Sequence, residues 1–252
     1  MKFVFLLLLP CLCFAQSNST IRTGRPGQSI GPYVVGTDYF QVQSGVDRAI
    51  TRADSKTNTT LLNNVLRYGL NESFEVSSVI TLQEDSFPGS QVGDKSGVSD
   101  FQLGFRFNLI GKPNGMIPGV GIQTRFKLTQ VDSDYRSDHM APIFTFVTNH
   151  SLSSEVAWVH NVGVSYDGVT TIPKYFLISN VSFPLSGNWG SFVEVFGNSQ
   201  ESVVAVYADT GLAYLYNKDL QFDFSLGGGE NHGISESFVS LGLSWRTKTR
   251  NK

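Results

Sequence analysis

Hydrophobic and polar residues alternate with a period of two along most of the chain, and helical periodicity is nearly absent. Phe74, Val76, Ser78, Ile80 and Leu82 alternate with Glu75, Ser77, Val79, Thr81 and Gln83. Phe101, Leu103, Phe105, Phe107 and Leu109 alternate with Gln102, Gly104, Arg106 and Asn108. The same rhythm runs through Val120–Leu128, Val156–Tyr166, Tyr175–Phe183 and Val239–Arg246. One face of each segment is apolar or aromatic, and the other carries Arg, Lys, Glu, Gln and Gly. The pattern predicts about twelve strands, at 36–48, 60–69, 73–83, 98–109, 118–130, 141–150, 154–166, 174–185, 190–197, 203–216, 220–228 and 236–246.

The connections are of two kinds, and they alternate. Short turns are predicted at Gly69–Ser73, Gly111–Ile117, His150–Ser154, Ser186–Gly190 and Asn217–Asp219. Longer polar loops are predicted at 49–59, 84–97, 131–140, 167–173, 198–202 and 229–235. An even number of strands of about ten residues, with short turns at one end and longer loops at the other, is the signature of an outer-membrane barrel. The expected fold is therefore all-β: a single up-and-down antiparallel transmembrane β-barrel of about twelve strands, with both termini on the turn side.

Register arithmetic supports the pairing of neighbours. Centring the first turn on Asn71 sets Arg67 opposite Glu75 and Tyr68 opposite Phe74, a charged pair inside and an aromatic pair outside. At Asn217–Asp219 the same reasoning sets Tyr214 opposite Phe222 and Leu212 opposite Phe224, both outward. A soluble sandwich or small lipocalin-like barrel would also bury alternating strands. Against it, Tyr68, Phe74, Trp158, Tyr166, Tyr175, Trp189, Tyr216 and Trp245 fall near strand ends, as interfacial girdles do.

Composition narrows the class further. Charged residues make up 16% of the 252 and aromatics 12%, which excludes a disordered, solvating chain. A formal net charge of −2 offers no basic patch, so no nucleic acid partner is expected. Lys2, the apolar run Phe3–Leu12 and the small-x-small triplet Cys13-Phe14-Ala15 predict a cleaved signal peptide over 1–15. Cys11 follows Pro10, which spoils a lipidation site, and cleavage after Ala15 removes both cysteines. The expected organisation is a signal peptide at 1–15, an N-terminal periplasmic segment at 16–32, the barrel at 33–246 and a tail at 247–252.

By alternation, Arg67, Glu75, Arg106, Arg125, Lys127, Glu194, Asp209, Gln221, Asp223 and Arg246 face the lumen. They read either as a ladder bracing the barrel or as groups that set charge selectivity and orient a ligand. Residues 16–32, with Arg22, Arg25 and Pro26, either enter the lumen from the turn side as a partial plug or fray as a terminus does. Catalytic signals are weak. Four histidines lie in unrelated segments, no nucleophile elbow, phosphate loop or paired-histidine metal motif occurs, and Ser179 and Ser182 near the outer wall have no histidine partner by spacing. Asp132, Asp134 and Asp138 read as solvated loop charge, Gly227-Gly228-Gly229 as a flexible loop, and five Asn-x-Ser/Thr triplets as composition. No cofactor and no metal are expected.

Several stretches resemble one family. They are Thr23-Gly24-Arg25-Pro26-Gly27, Leu66-Arg67-Tyr68-Gly69-Leu70 with Phe74-Glu75, Gly97-Val98-Ser99-Asp100, and Phe192-Val193-Glu194. The strongest run is Asp209-Thr210-Gly211-Leu212-Ala213-Tyr214, Leu220-Gln221-Phe222-Asp223 and Gly242-Leu243-Ser244-Trp245-Arg246. Across nearly the whole mature length the chain is similar to the MetA-pathway of phenol degradation family, outer-membrane barrels described as transporters. It departs from a common barrel feature by continuing past Trp245 with Arg246 and six further residues, rather than ending on an aromatic. The resemblance implies passage or binding of small, aromatic or hydrophobic compounds. The expected function is thus a channel passing small solutes across a bacterial outer membrane, with lipid, the solute and the barrel-assembly machinery as partners. Two alternatives stay open: a non-conducting barrel that binds a ligand or partner through its outer loops, and a barrel enzyme acting on envelope lipid.

Overall fold

In the computed structural model, which describes residues 19–53, 56–91, 93–111 and 117–249, alternation becomes a closed wall. The twelve strands are β1 (Tyr39–Arg52), β2 (Lys56–Gly69), β3 (Phe74–Ser86), β4 (Lys95–Ile110), β5 (Gly119–Lys127), β6 (Ala141–Ser151), β7 (Ala157–Ser165), β8 (Lys174–Pro184), β9 (Trp189–Gln200), β10 (Val203–Asn217), β11 (Leu220–Asn231) and β12 (Ile234–Lys248). Each pairs antiparallel with its neighbours in sequence, and β1 closes on β12, so that no edge is left open. The expected signal peptide lies outside the described residues, as do the last three of the tail.

The faces divide as an inside-out protein requires. Outward residues stay exposed though apolar: Leu241 is 63% exposed, Val204 58% and Leu177 54%. Water would not solvate such a wall without large cost, whereas hydrocarbon does. Among the described residues the buried set is mainly polar, including Gln41, Arg67, Glu75, Asn161, Glu194 and Arg246. Near the turn end, Trp158, Trp189, Tyr216 and Trp245 are exposed on the outer surface, where an interfacial girdle belongs.

Two expectations are corrected. The first hairpin pairs Tyr68 with Val76 and Arg67 with Ser77, two residues away from the register centred on Asn71. A shift of two leaves every side chain on its expected face. The second correction concerns Gly227-Gly228-Gly229, which is not a loop. It continues β11, with Gly227 opposite Asp209 and Gly229 opposite Tyr207. The reason is lateral packing: a Cβ on Gly229 would lie 2.4 Å from the Tyr207 ring, and one on Gly227 would lie 2.5 Å from that of Phe238. The register at the last turn is as expected, with Leu212 on Phe224 and Tyr214 on Phe222.

Several loops are shorter than their polar composition suggests. β9 turns into β10 through Glu201 and Ser202, both at positive φ (50° and 68°), and β11 turns into β12 through His232 and Gly233 (51° and 82°). Two consecutive left-handed residues make the tight turn that suits strand twist, so pairing runs to the hairpin tip. The longer connection 128–140 instead folds back, through a short 3-10 turn (Ser133–Tyr135), onto the end of β4. There Asp132 exchanges hydrogen bonds with Val98: its amide donates to the Val98 carbonyl, and its carboxylate accepts from the Val98 amide.

Candidate functional site: a lumen occupied by the chain's own N-terminal segment

Residues 19–38 do not pair into the wall. They pass through the lumen, and the inward polar residues of the strands close around them. At the turn end, the amide of Ile21 donates to the Lys218 carbonyl (2.7 Å), and the Arg246 guanidinium donates to the Ser19 carbonyl (3.0 Å). The Arg22 carbonyl accepts from Gln41 of β1 and from Arg67 of β2, each at 3.1 Å, and Thr23 bonds Ser244 of β12 through their hydroxyls at 2.7 Å.

Arg25 reaches furthest across. Its guanidinium donates to Asp223 of β11 (3.2 Å) and Ser240 of β12 (2.6 Å) and lies 3.8 Å from Asp47 of β1. Its carbonyl accepts from Gln221 (3.0 Å). The guanidinium occupies a notch made by Gly45 and Gly242, which face each other across β1 and β12. A Cβ on either would come within 2.3 Å of it.

Beyond Arg25 the segment crosses to the opposite wall. The amides of Gln28 and Ser29 donate to the two oxygens of Glu194 on β9 (2.7 and 2.9 Å), which also accepts from Asn180 of β8 (3.0 Å). Asn161 of β7 clamps Ile30 by both its amide and its carbonyl (2.7 and 2.8 Å), as a neighbouring strand would. The Tyr33 hydroxyl accepts from Asn149 of β6 (3.0 Å), and the Arg22 guanidinium lies 3.8 Å above its ring. The Tyr33 carbonyl accepts from Arg67 (3.0 Å) and from Arg106 of β4 (3.2 Å), and the amide of Val35 donates to Glu75 of β3 (2.8 Å). Gly36, at φ +97°, then turns the chain into β1; its carbonyl presses so close to Gly69 that a Cβ there would lie 1.8 Å away.

The charges of the lumen pair around this segment. Arg67 holds Glu75 with two hydrogen bonds of 2.8 Å, a bidentate arrangement, and the Arg106 guanidinium lies 3.6 Å from the same carboxylate. Arg246 pairs with Asp219 at 2.8 Å and covers the Tyr39 ring at 4.7 Å. Asp209 stands directly opposite Glu194, and neither of its carboxylate oxygens meets a donor among the described residues. Arg125 and Lys127 lie on the inward face of β5 toward the loop end, opposite Gly104 and Gln102. Of the ten residues expected in the lumen, six (Arg67, Glu75, Arg106, Glu194, Gln221 and Arg246) bond the backbone of residues 19–38. Asp223 contacts it through the Arg25 side chain. Sequence reasoning did not pick out Gln41, Asn149, Asn161, Asn180, Ser240 and Ser244, whose neutral side chains carry no signal apart from their inward parity.

Among the described residues, two cavities flank the segment. One of about 640 Å³ opens toward the turn end, among Ile21, Arg22, Glu155, Phe183 and Leu215. The other, of about 410 Å³, lies on the loop side of Arg25, Gln28 and Ile30.

Outside the lumen, chemistry is sparse. On the outer wall Ser179 lies opposite His160, but its hydroxyl accepts from the Trp158 indole (3.0 Å) rather than from an imidazole. Ser182 lines the turn-end cavity instead. Among the described residues no group of three or more metal-binding side chains is gathered. In the folded-back loop, partial burial and the Asp85 carboxylate, which accepts its hydroxyl at 3.2 Å, push the Tyr135 phenol up to about 12. Asp167 sits below the usual carboxylate range because the amides of Thr170 and Val169 donate to it.

A sequence profile for the family described as "Putative MetA-pathway of phenol degradation" matches residues 23–247. Among solved structures, the COG4313 outer membrane channel from Pseudomonas putida F1 superposes with a TM-score of 0.69 at 12% identity, over 88% of this chain and 99% of that one. The NanC porin superposes with a TM-score of 0.53 at 11% identity, over 80% and 98%. The translocator domain of autotransporter NalP from Neisseria meningitidis gives 0.52 at 8%, over 84% and 89%. At such identities the likeness is one of fold. No curated protein sequence matches the chain significantly.

Proposed function

The chain belongs to the family described as the putative MetA-pathway of phenol degradation, and from that premise we propose that it is an outer-membrane channel for small solutes whose own N-terminal segment closes the lumen. Export by a cleaved signal peptide delivers it, the assembly machinery inserts it, and the turn end with the segment's entry faces the periplasm. The carrying observation is that side chains from nine of the twelve strands bond residues 19–37, with a cavity on either side of them.

The geometry suits a gate better than a permanent brace. A wall that only needed bracing could pair its charges across the lumen directly. Here the acceptors and donors of the wall are spent on a segment that joins the wall covalently at β1. When it leaves, the same groups are wetted rather than stranded, so opening exchanges protein contacts for water at modest net cost. The open lumen is then lined by Arg67, Glu75, Arg106, Arg125, Lys127, Glu194, Asp209, Gln221, Asp223 and Arg246, which filter by charge. Passage, not catalysis, is the reading these features support.

The test is conductance of the refolded chain in planar bilayers. Glu194→Lys removes the acceptor of two plug amides and places a cation there, so it is expected to raise the open fraction at least ten-fold and shift selectivity toward anions. Folded protein that stays silent in both the native and the substituted form would remove the channel reading.

A further inference from the structure

The loop-side cavity leaves one of its cations without a carboxylate close by. Four guanidinium groups line it, from Arg25, Arg67, Arg106 and Arg125, together with the carboxylates of Asp47 and Glu236. Three have acidic partners: Arg25 has Asp223 and Asp47, and Arg67 and Arg106 share Glu75. Arg125 has no carboxylate at ion-pair distance among the described residues: Glu75 and Asp100 act on it only from further off, and its buried Nε has no acceptor. Its stem crosses Gly104, which faces it on β4; a Cβ on that glycine would lie 2.9 Å from the Arg125 Cγ. The missing side chain thus gives the arginine room to reach into the lumen. A guanidinium cannot shed its charge, and one left in a confined site without an acceptor is costly unless an anion joins it.

The rest of the cavity is not built for an inorganic ion. Phe196 and Phe238 line it from β9 and β12, with ring centroids 6.3 Å apart, and Leu61, Val65 and Val79 line it from β2 and β3. These inward apolar residues break the polar rule of the lumen at this level. A volume of about 410 Å³ accommodates a single small ring with a substituent. We infer that this cavity binds an amphipathic organic anion, a small carboxylate with an aromatic or alicyclic body, its charged head on Arg125 and its body against Phe196 and Phe238. The ligand names the solute class of the proposed channel and rests on that reading. Planar guanidinium matches a carboxylate edge to edge, which sets this class apart from neutral phenols and hydrocarbons that leave Arg125 unpaired.

Equilibrium dialysis of labelled benzoate against the detergent-folded mature chain is the experiment, with benzamide as the neutral isostere and acetate as the headgroup alone. Saturable benzoate binding at least ten-fold tighter than either is expected. Arg125→Gln should lose at least ten-fold in benzoate affinity, and Phe196→Ala should weaken benzoate while leaving acetate unchanged. Heat-modifiable gel migration verifies the fold of each variant. Benzamide or acetate binding as tightly as benzoate, unchanged binding by folded Arg125→Gln, or no saturable binding by the folded native chain would each overturn the inference. The channel reading fails separately: a folded barrel that binds benzoate but never conducts, even with its plug displaced, keeps the site and loses the channel, and the opposite pattern does the reverse.

Discussion

Arg25 and the paired glycines Gly45 and Gly242 form a lock whose parts can be altered one at a time. The wall backbone at Gly45 is ordinary strand, so a larger residue there meets the far end of a flexible side chain, not the barrel. Gly45→Val is therefore expected to leave a heat-modifiable barrel and evict the guanidinium, raising conductance above that of the native chain. Glu75 is a different kind of residue. It is the one carboxylate for two buried guanidiniums and accepts the Val35 amide as well. Glu75→Gln strands those charges and is expected to cost about 3 kcal/mol of stability, read from urea unfolding in detergent. The Arg67–Glu75 pair was legible in the sequence as a shared face but not as a shared rung. Parity fixes the face, whereas the offset depends on the turn, which takes in Leu70–Ser73 before β3 begins; the long arginine then reaches its acid diagonally.

At the scale of elements, strand existence and order followed from alternation, and strand ends did not. Within the bilayer each outward position must be apolar, so the signal is strong. Beyond it both faces meet water, and paired strands such as Gln200–Val203 or Asn231–Ile234 look like loop. The glycine run of β11 misled for a related reason: its smallness answers to Tyr207 and Phe238 on neighbouring strands, not to flexibility. The folded-back loop offers its own check. Tyr135 keeps its proton up to about 12, so its bond to Asp85 holds throughout neutral pH and is lost only as pH rises through that value. Tyr135→Phe should speed amide exchange in residues 131–137 at pH 7, while native exchange there, corrected for intrinsic rate, stays flat from pH 7 to 9.

For the molecule as a whole, the lumen is where local reasoning ends. Residues 19–38 have neither alternation nor helical period, because their partners are the inner faces of strands up to some two hundred residues away, as Thr23 and Ser244 illustrate. What the sequence did carry was the set of inward charges and the short motifs of the family resemblance. Several of those motifs meet in the lumen: Arg25 on Asp223, Glu194 on the amides after Gly27, and Arg67 with Glu75 beneath Tyr33. We read a closed barrel with a polar interior, an apolar exterior and its own segment threaded through the middle as a pore held shut by contacts that water can replace. The most direct measurement compares single-channel currents of the mature chain with those of the same chain lacking residues 19–35, both verified as folded barrels. Rare, brief openings in the first and sustained ionic currents in the second are predicted. A folded, plugless barrel that carries no current, or a native chain that conducts as well as the plugless one, would contradict it.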